Sequence, residues 1–213
     1  FLKVGTQTFK NAGDAVNGTI ALRRALQVSS DVFFYTLGRD MNRLKGQVIQ
    51  SWARRLGFGK PTGIDIPGEA KGTIPDSQWR RALRDKEIAC EKARKVDSCG
   101  YTDKRSWSVG DNINLAVGQG DLQASPLQMA TAYSAIVNGG RVVRPHLGMK
   151  VENDTGGEIQ RIPTPAARKV AIDPGDRQAI MDGLHMATMG DGTSAKVFSD
   201  WNQGAFPVFG KTG

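Results

Sequence analysis

Residues 115–140 read "LAVGQGDLQASPLQMATAYSAIVNGG", and this stretch carries its own punctuation. Ser125 stands where a helix would be capped, and Pro126 takes the first helical position, where its missing N–H costs nothing. Gly139-Gly140 stops the helix after "LQMATAYSAIVN". Gly118-Gln119-Gly120 could be mistaken for a phosphate loop. It lacks the following Lys-Ser/Thr and a suitable preceding strand, so it reads as the tight loop leading into the Ser125 helix.

Upstream, Thr19 is placed to cap a helix running to about Leu26, with Ile20, Leu22, Ala25 and Leu26 on one face. A polar break, "VSSD" at 28–31, separates it from "DVFFYTLGRDM", which is apolar almost all round near its start and reads as a core helix. A third helix is expected from about Leu44, with Val48, Ile49, Trp52, Ala53 and Leu56 at helical spacing and Gly57 as its C-terminal cap. Residues 1–18 read as loop. Residues 57–75, broken by Gly or Pro every few positions, read as an extended surface loop. The charge-dense run 80–106 lacks a strong apolar stripe and reads as a solvated excursion, part helix, on the rim of the domain.

Downstream, "RPHLGMKVENDTGGEIQRI" reads as a hairpin about Gly156-Gly157, and Asp173-Pro174 opens another helix. "FPVFGKTG" at 206–213 begins a strand. With no internal repeat or low-complexity linker, the chain is one unit, helix-rich first and strand-bearing last.

Composition narrows the function classes. Lys+Arg 29 against Asp+Glu 21 gives a net charge of +8 and a pI near 9.7, which suits an anionic partner or simply a soluble basic surface. No stretch approaches the roughly 20 apolar residues of a membrane span, and Phe1-Leu2-Lys3-Val4 is not a signal peptide. Cys90 and Cys99 form no C-x-x-C, and His146 and His185 lie far from them, which argues against a zinc site. Their spacing alone leaves a disulfide and two free thiols equally open.

Two short motifs carry chemistry. On a strand, Lys211 and Gly213 share one face, so Lys211-Thr212-Gly213 offers a cation, a hydroxyl and open backbone, a sensible carboxylate receptor. Ser29-Ser30-Asp31 falls between two apolar helices, where Ser and Asp are also the preferred helix caps. A Ser-x-Asn-like triplet followed far downstream by Lys-Thr-Gly is two thirds of the signature of penicillin-interacting serine enzymes, whose remaining third is Ser-x-x-Lys.

The surroundings extend this match. "ALQVSSDVFFYTLG", "LGFGKPTGIDIPGE", "AVGQGDLQASPLQMATAYSAIVNGG", "VRPHL" and "VFGKTG" occur in the order seen in class B penicillin-binding proteins. The chain resembles their transpeptidase domain over nearly its whole length, 80–106 apart, and looks most like the elongation-type penicillin-binding protein 2 group. The resemblance implies an α+β, β-lactamase/transpeptidase-like fold, a helical subdomain packed on an antiparallel sheet flanked by helices.

It also implies a serine acyl-transfer enzyme that cross-links peptidoglycan for cell-wall elongation and cell shape, without a cofactor or metal. Its expected partners are stem peptides, β-lactam antibiotics, a membrane-embedded peptidoglycan glycosyltransferase and elongation-complex proteins, not nucleic acid. Its expected place is the extracytoplasmic face of the cytoplasmic membrane, anchored by an upstream segment. The same resemblance assigns Ser29, Asp31 and Lys211 to catalysis and Ser30, Thr212 and Gly213 to substrate binding. An extracytoplasmic setting would also favour a Cys90–Cys99 disulfide.

Two departures matter. Asp31 stands where Asn is commoner in the wider family, and an ionised carboxylate only accepts hydrogen bonds. No serine of the chain is followed three residues on by lysine. The expectation is therefore a partial domain, 1–213, with its nucleophile segment upstream and its last strands and helix downstream. Such a chain alone would be inactive. Two rivals share the fold: a β-lactamase or β-lactam sensor, and a non-catalytic wall-binding module.

Overall fold

Most helices of the chain start at a side-chain cap that the local sequence supplies. The computed structural model describes residues 1–163 and 166–212. The strands are β1 (Leu2–Val4), β2 (Gln7–Phe9), β3 (Arg141–Val143), β4 (Lys150–Glu152), β5 (Glu158–Arg161) and β6 (Ala166–Lys169). The helices are α1 (Leu22–Gln27), α2 (Asp31–Met41), α3 (Val48–Leu56), α4 (Ser77–Arg94), α5 (Val109–Ala116), α6 (Pro126–Val137) and α7 (Pro174–Met186). Among the described residues the strands form three antiparallel pairs, β1–β2, β3–β6 and β4–β5.

Helix α6 is the expected one. Ser125 accepts from the Gln128 N–H and Gln128 Oε1 accepts from the Ser125 N–H, a reciprocal capping box, with Pro126 at the first turn. The fully buried Gln128 amide also donates to the carbonyls of Lys60 and Lys71. It thus pins the loop 57–75, which carries no regular element beyond a single bridge between Thr73 and Gln123. Behind α6, Ala135, Val142 and Val170 form a buried core against Leu56 and Ile172. Gly57 ends α3 with φ +115°, and Asp173 caps α7 by accepting from the Gly175 and Asp176 N–H groups.

Two helix pairs are set by glycines that let backbones approach. A Cβ at Gly183 of α7 would stand 2.7 Å from Leu26 Cδ1, and one at Gly38 of α2 would stand 2.8 Å from Ala116 Cβ on α5. The second contact is locked by Asn112, which donates to the Gly38 carbonyl (2.6 Å) and accepts from the buried Gln50 amide (3.1 Å). Helices α2, α3 and α5 are thereby joined through one satisfied polar network.

Several expectations need correction. Residues 2–9 form a hairpin rather than loop, turning at Gly5, whose φ is +58°. Thr19 caps nothing: α1 starts after Ala21 without a side-chain cap. The excursion 80–106 is mostly exposed, as expected, but it carries a long regular helix. Asp76 caps an 18-residue helix there, and two charged side chains on it are buried. Arg80 reaches Asp121 (2.9 Å), Asp111 (3.4 Å) and Thr102 (3.2 Å), while Glu87 is enclosed by the 98–101 loop. Cys90 and Cys99 are joined by a disulfide that closes this loop.

Finally, 206–212 forms no strand, contrary to the expectation from sequence. Its backbone is taken elsewhere. The Val208 N–H donates to Gln203 (2.8 Å), the Val208 carbonyl accepts from the Thr188 hydroxyl (2.8 Å), and the Gly210 N–H donates to the Leu184 carbonyl (3.1 Å).

Candidate active site

The joint between α1 and α2 is where the two readings of Ser29-Ser30-Asp31 separate. The Ser29 N–H donates to the Leu26 carbonyl and the Ser30 N–H to the Ala25 carbonyl, closing α1 in a Schellman arrangement. That arrangement places Ser29 in the left-handed region, at φ +52°, a position glycine normally fills. Ser30 then caps α2: its hydroxyl accepts from the Phe33 N–H and donates to Asn11 Oδ1, and the residue is buried. The side chain expected to touch substrate is thus committed to the cap. Asp31 opens α2, in the first turn, where the helix dipole favours a carboxylate.

With Ser30 holding the joint, Ser29 and Asp31 both face a cleft of about 730 Å³ that Lys211 and Thr212 close from the far end of the chain. Lys211 Nζ donates to Ser29 Oγ at 2.6 Å and to the Thr212 carbonyl at 2.6 Å. The lysine is half-buried. Burial pushes its pKa below the ordinary lysine value, and the negative charge of Asp31 offsets this only in part. Tyr35, one turn along α2, lines the same cleft; burial and the Asp31 charge raise its hydroxyl's pKa. Asn114 of α5 and Gln119 complete the wall, with the Gln119 N–H donating to the Asn114 carbonyl at 2.9 Å.

This arrangement is chemically capable of passing a proton between Lys211 and the cleft. A hydroxyl that accepts from an ammonium keeps its own proton free to donate into the cleft. A lysine whose charged form is disfavoured gives up a proton more readily than a solvated one. Among the described residues no group of His, Cys, Asp and Glu could hold a metal ion.

Residues 3–213 match the model of the penicillin binding protein transpeptidase domain. The chain belongs to that family.

Within the family, the peptidoglycan D,D-transpeptidase MrdA of Haemophilus influenzae is 29% identical over 214 residues, covering 98% of this chain and 28% of that protein. Helicobacter pylori PBP2, solved in complex with MreC, superposes with a TM-score of 0.65 at 26% identity, over 91% of this chain and 30% of that one. Pseudomonas aeruginosa PBP2, solved in complex with WCK 5153, gives 0.67 at 25% identity, over 93% and 40%. The fold is that of these transpeptidase domains, β-lactamase/transpeptidase-like, and the chain spans less than half the length of any of the three.

In this penicillin-binding transpeptidase domain the structure gathers Ser29, Asp31, Lys211 and Thr212 at one cleft, across 182 residues of sequence. Gly213 lies outside the described residues. His185 stacks on Phe209 with ring centroids 4.8 Å apart. No motif in the sequence marks Tyr35 or Asn114 as site residues, and Gln119 stood out only as part of a tight loop. The helix carrying Asn114 did have a legible start, Ser108 and Asp111 at capping-box spacing, and both bonds of that box form.

Proposed function

We propose that this chain is part of a peptidoglycan D,D-transpeptidase of the elongation type, a β-lactam target working at the outer face of the bacterial cytoplasmic membrane. The observation that carries the reading is the 2.6 Å bond from Lys211 Nζ to Ser29 Oγ beside Asp31, inside a cleft. The names of the MrdA and PBP2 relatives support the activity, and the H. pylori PBP2 complex with MreC supports a place among elongation proteins.

In the proposed reaction a serine nucleophile attacks the carbonyl between two terminal D-alanines of a stem peptide, and the C–N bond breaks. The leaving nitrogen takes the Ser29 proton, Lys211 returns one to Ser29 Oγ, and the proton given up by the nucleophilic serine restores Lys211 to its charged form. An amine of a second stem peptide then resolves the acyl-enzyme, losing its proton along the same path in reverse. Thr212 receives the donor's terminal carboxylate. Because this sequence holds no Ser-x-x-Lys, we place the nucleophile outside residues 1–213, together with a membrane anchor and the contacts to a glycosyltransferase.

Intact mass and peptide mapping after exposure to benzylpenicillin test this. The full-length protein should gain one acyl group on a serine outside 1–213, and residues 1–213 alone should gain none. Stoichiometric acylation of Ser29, or no acylation of the full-length protein, would overturn the reading.

A further inference from the structure

The segment after α7 holds a feature that the proton relay does not use. Residues 187–198 fold into successive tight turns, closed by Gly192 N–H to the Met189 carbonyl (2.8 Å) and Ser194 N–H to the Ala187 carbonyl (2.9 Å). A Cβ on Gly192 would stand 2.3 Å from the Met186 carbonyl oxygen, so only glycine lets the turn press against the end of α7. Both neighbours of Gly192 are then tied to the last turn of α1. The Asp191 carboxylate receives a two-pronged bond from Arg24 (2.6 and 2.6 Å) and a third from Gln27 (2.8 Å). The Thr193 N–H donates to the Gln27 carbonyl (3.1 Å). Thr193 Oγ1 in turn lies 3.1 Å from Thr212 Oγ1.

These bonds close a ring. The last turn of α1 holds Thr193; Thr193 meets Thr212; Thr212 adjoins Lys211; and Lys211 bonds Ser29, which is fixed by the end of α1 again. Polar groups bonded at two ends of one rigid turn lose little freedom when a ligand arrives.

We propose that Thr193 is a positioning residue for substrate binding: its hydroxyl donates to Thr212 Oγ1 and so turns the Thr212 proton toward the cleft, poised for a carboxylate. The hydroxyl chemistry carries the argument. Each hydroxyl has one proton and two acceptor sites. If Thr193 donates, Thr212 keeps its proton for the ligand; a charge-assisted bond to a carboxylate is about twice as strong as a neutral one. The Arg24–Asp191–Gln27 cluster is the strut that keeps Thr193 in reach. This inference rests on the transpeptidase reading, which gives Thr212 its carboxylate.

The test measures acylation of the full-length protein by benzylpenicillin and by its methyl ester, in wild type, Thr193→Val and Thr193→Ser. We expect Thr193→Val to weaken apparent affinity for the free acid by roughly 10- to 30-fold, the scale of one charge-assisted bond, with the limiting acylation rate nearly unchanged. Thr193→Ser should restore it, and the ester should be affected far less. Equal losses for acid and ester, or no loss for either, would overturn the proposal while leaving the transpeptidase reading intact. Failure of the wild type to acylate at all would overturn both.

Discussion

Two charged side chains taken out of water meet opposite fates in this molecule. On α4, burial drives the Glu87 carboxyl upward. Four donors (the Ser98 hydroxyl and the N–H groups of Tyr101, Cys99 and Gly100) outweigh it and hold the pKa at about 2. At the cleft, burial drives the Lys211 pKa down, and the single charge of Asp31 does not restore it. Glu87 is saturated with partners and locked in its charged form, which suits a structural anchor. Lys211 is left short of compensation, with its charged form disfavoured, which suits chemistry. The difference lies in the number of fixed donors or charges around each group, not in depth of burial.

The largest expected effect follows from the under-compensated side. Lys211→Ala in the full-length protein should slow acylation by benzylpenicillin about 10³-fold, within the range of a lost proton-transfer group. The melting temperature should change little, because the lysine forms no ion pair among the described residues. A large drop in melting temperature with acylation intact would place Lys211 in the structural class with Glu87.

Glu87→Gln should show the converse. The amide presents its own donors to four fixed donors, so at least one contact becomes repulsive. We expect a fall in melting temperature of about 5 °C or more, with acylation by the folded protein little changed because Glu87 is not among the residues lining the cleft.

The same side chain sets a smaller, pH-dependent effect. The Glu87 pKa is depressed from 4.5 to about 2. The Asp111 pKa is depressed from 3.8 to about 2, because its bonds to Arg105 and Ser108 outweigh burial. A depressed folded-state pKa means that the unfolded chain takes up protons first as pH falls. The stabilisation is therefore complete above about pH 4.5 and is lost progressively down to about pH 2. Denaturant titrations across that range should show it, and Glu87→Gln should flatten the curve.

What was legible in the sequence, and what was not, follows the same divide between local and long-range causes. Ser125-Pro126, Gly57, Asp173-Pro174 and the Gly156-Gly157 turn act on backbone within a few residues, and each did what its chemistry dictates. The run 80–106 is mostly solvated, as it reads, but its two buried charges stayed hidden because they are compensated from outside the helix. Arg80 meets Asp111 and Asp121, 31 and 41 residues on, and no periodicity announces that. At the site, motif and order brought Ser29, Asp31, Lys211 and Thr212 into view. The Thr193 contact stayed hidden because it exists only once α1 and α7 have packed.

The central claim is that Ser29 is strained into place for its hydroxyl and that Ser30, not Ser29, caps the helix. Ser29→Gly in the full-length protein tests it most directly, by acylation rate and melting temperature measured together. Glycine adopts φ +52° freely, whereas a side chain there costs about 1 kcal/mol or more. Acylation should slow about 10²-fold at a melting temperature equal to or a few degrees above wild type. Acylation at the wild-type rate in a protein that melts several degrees lower would contradict it.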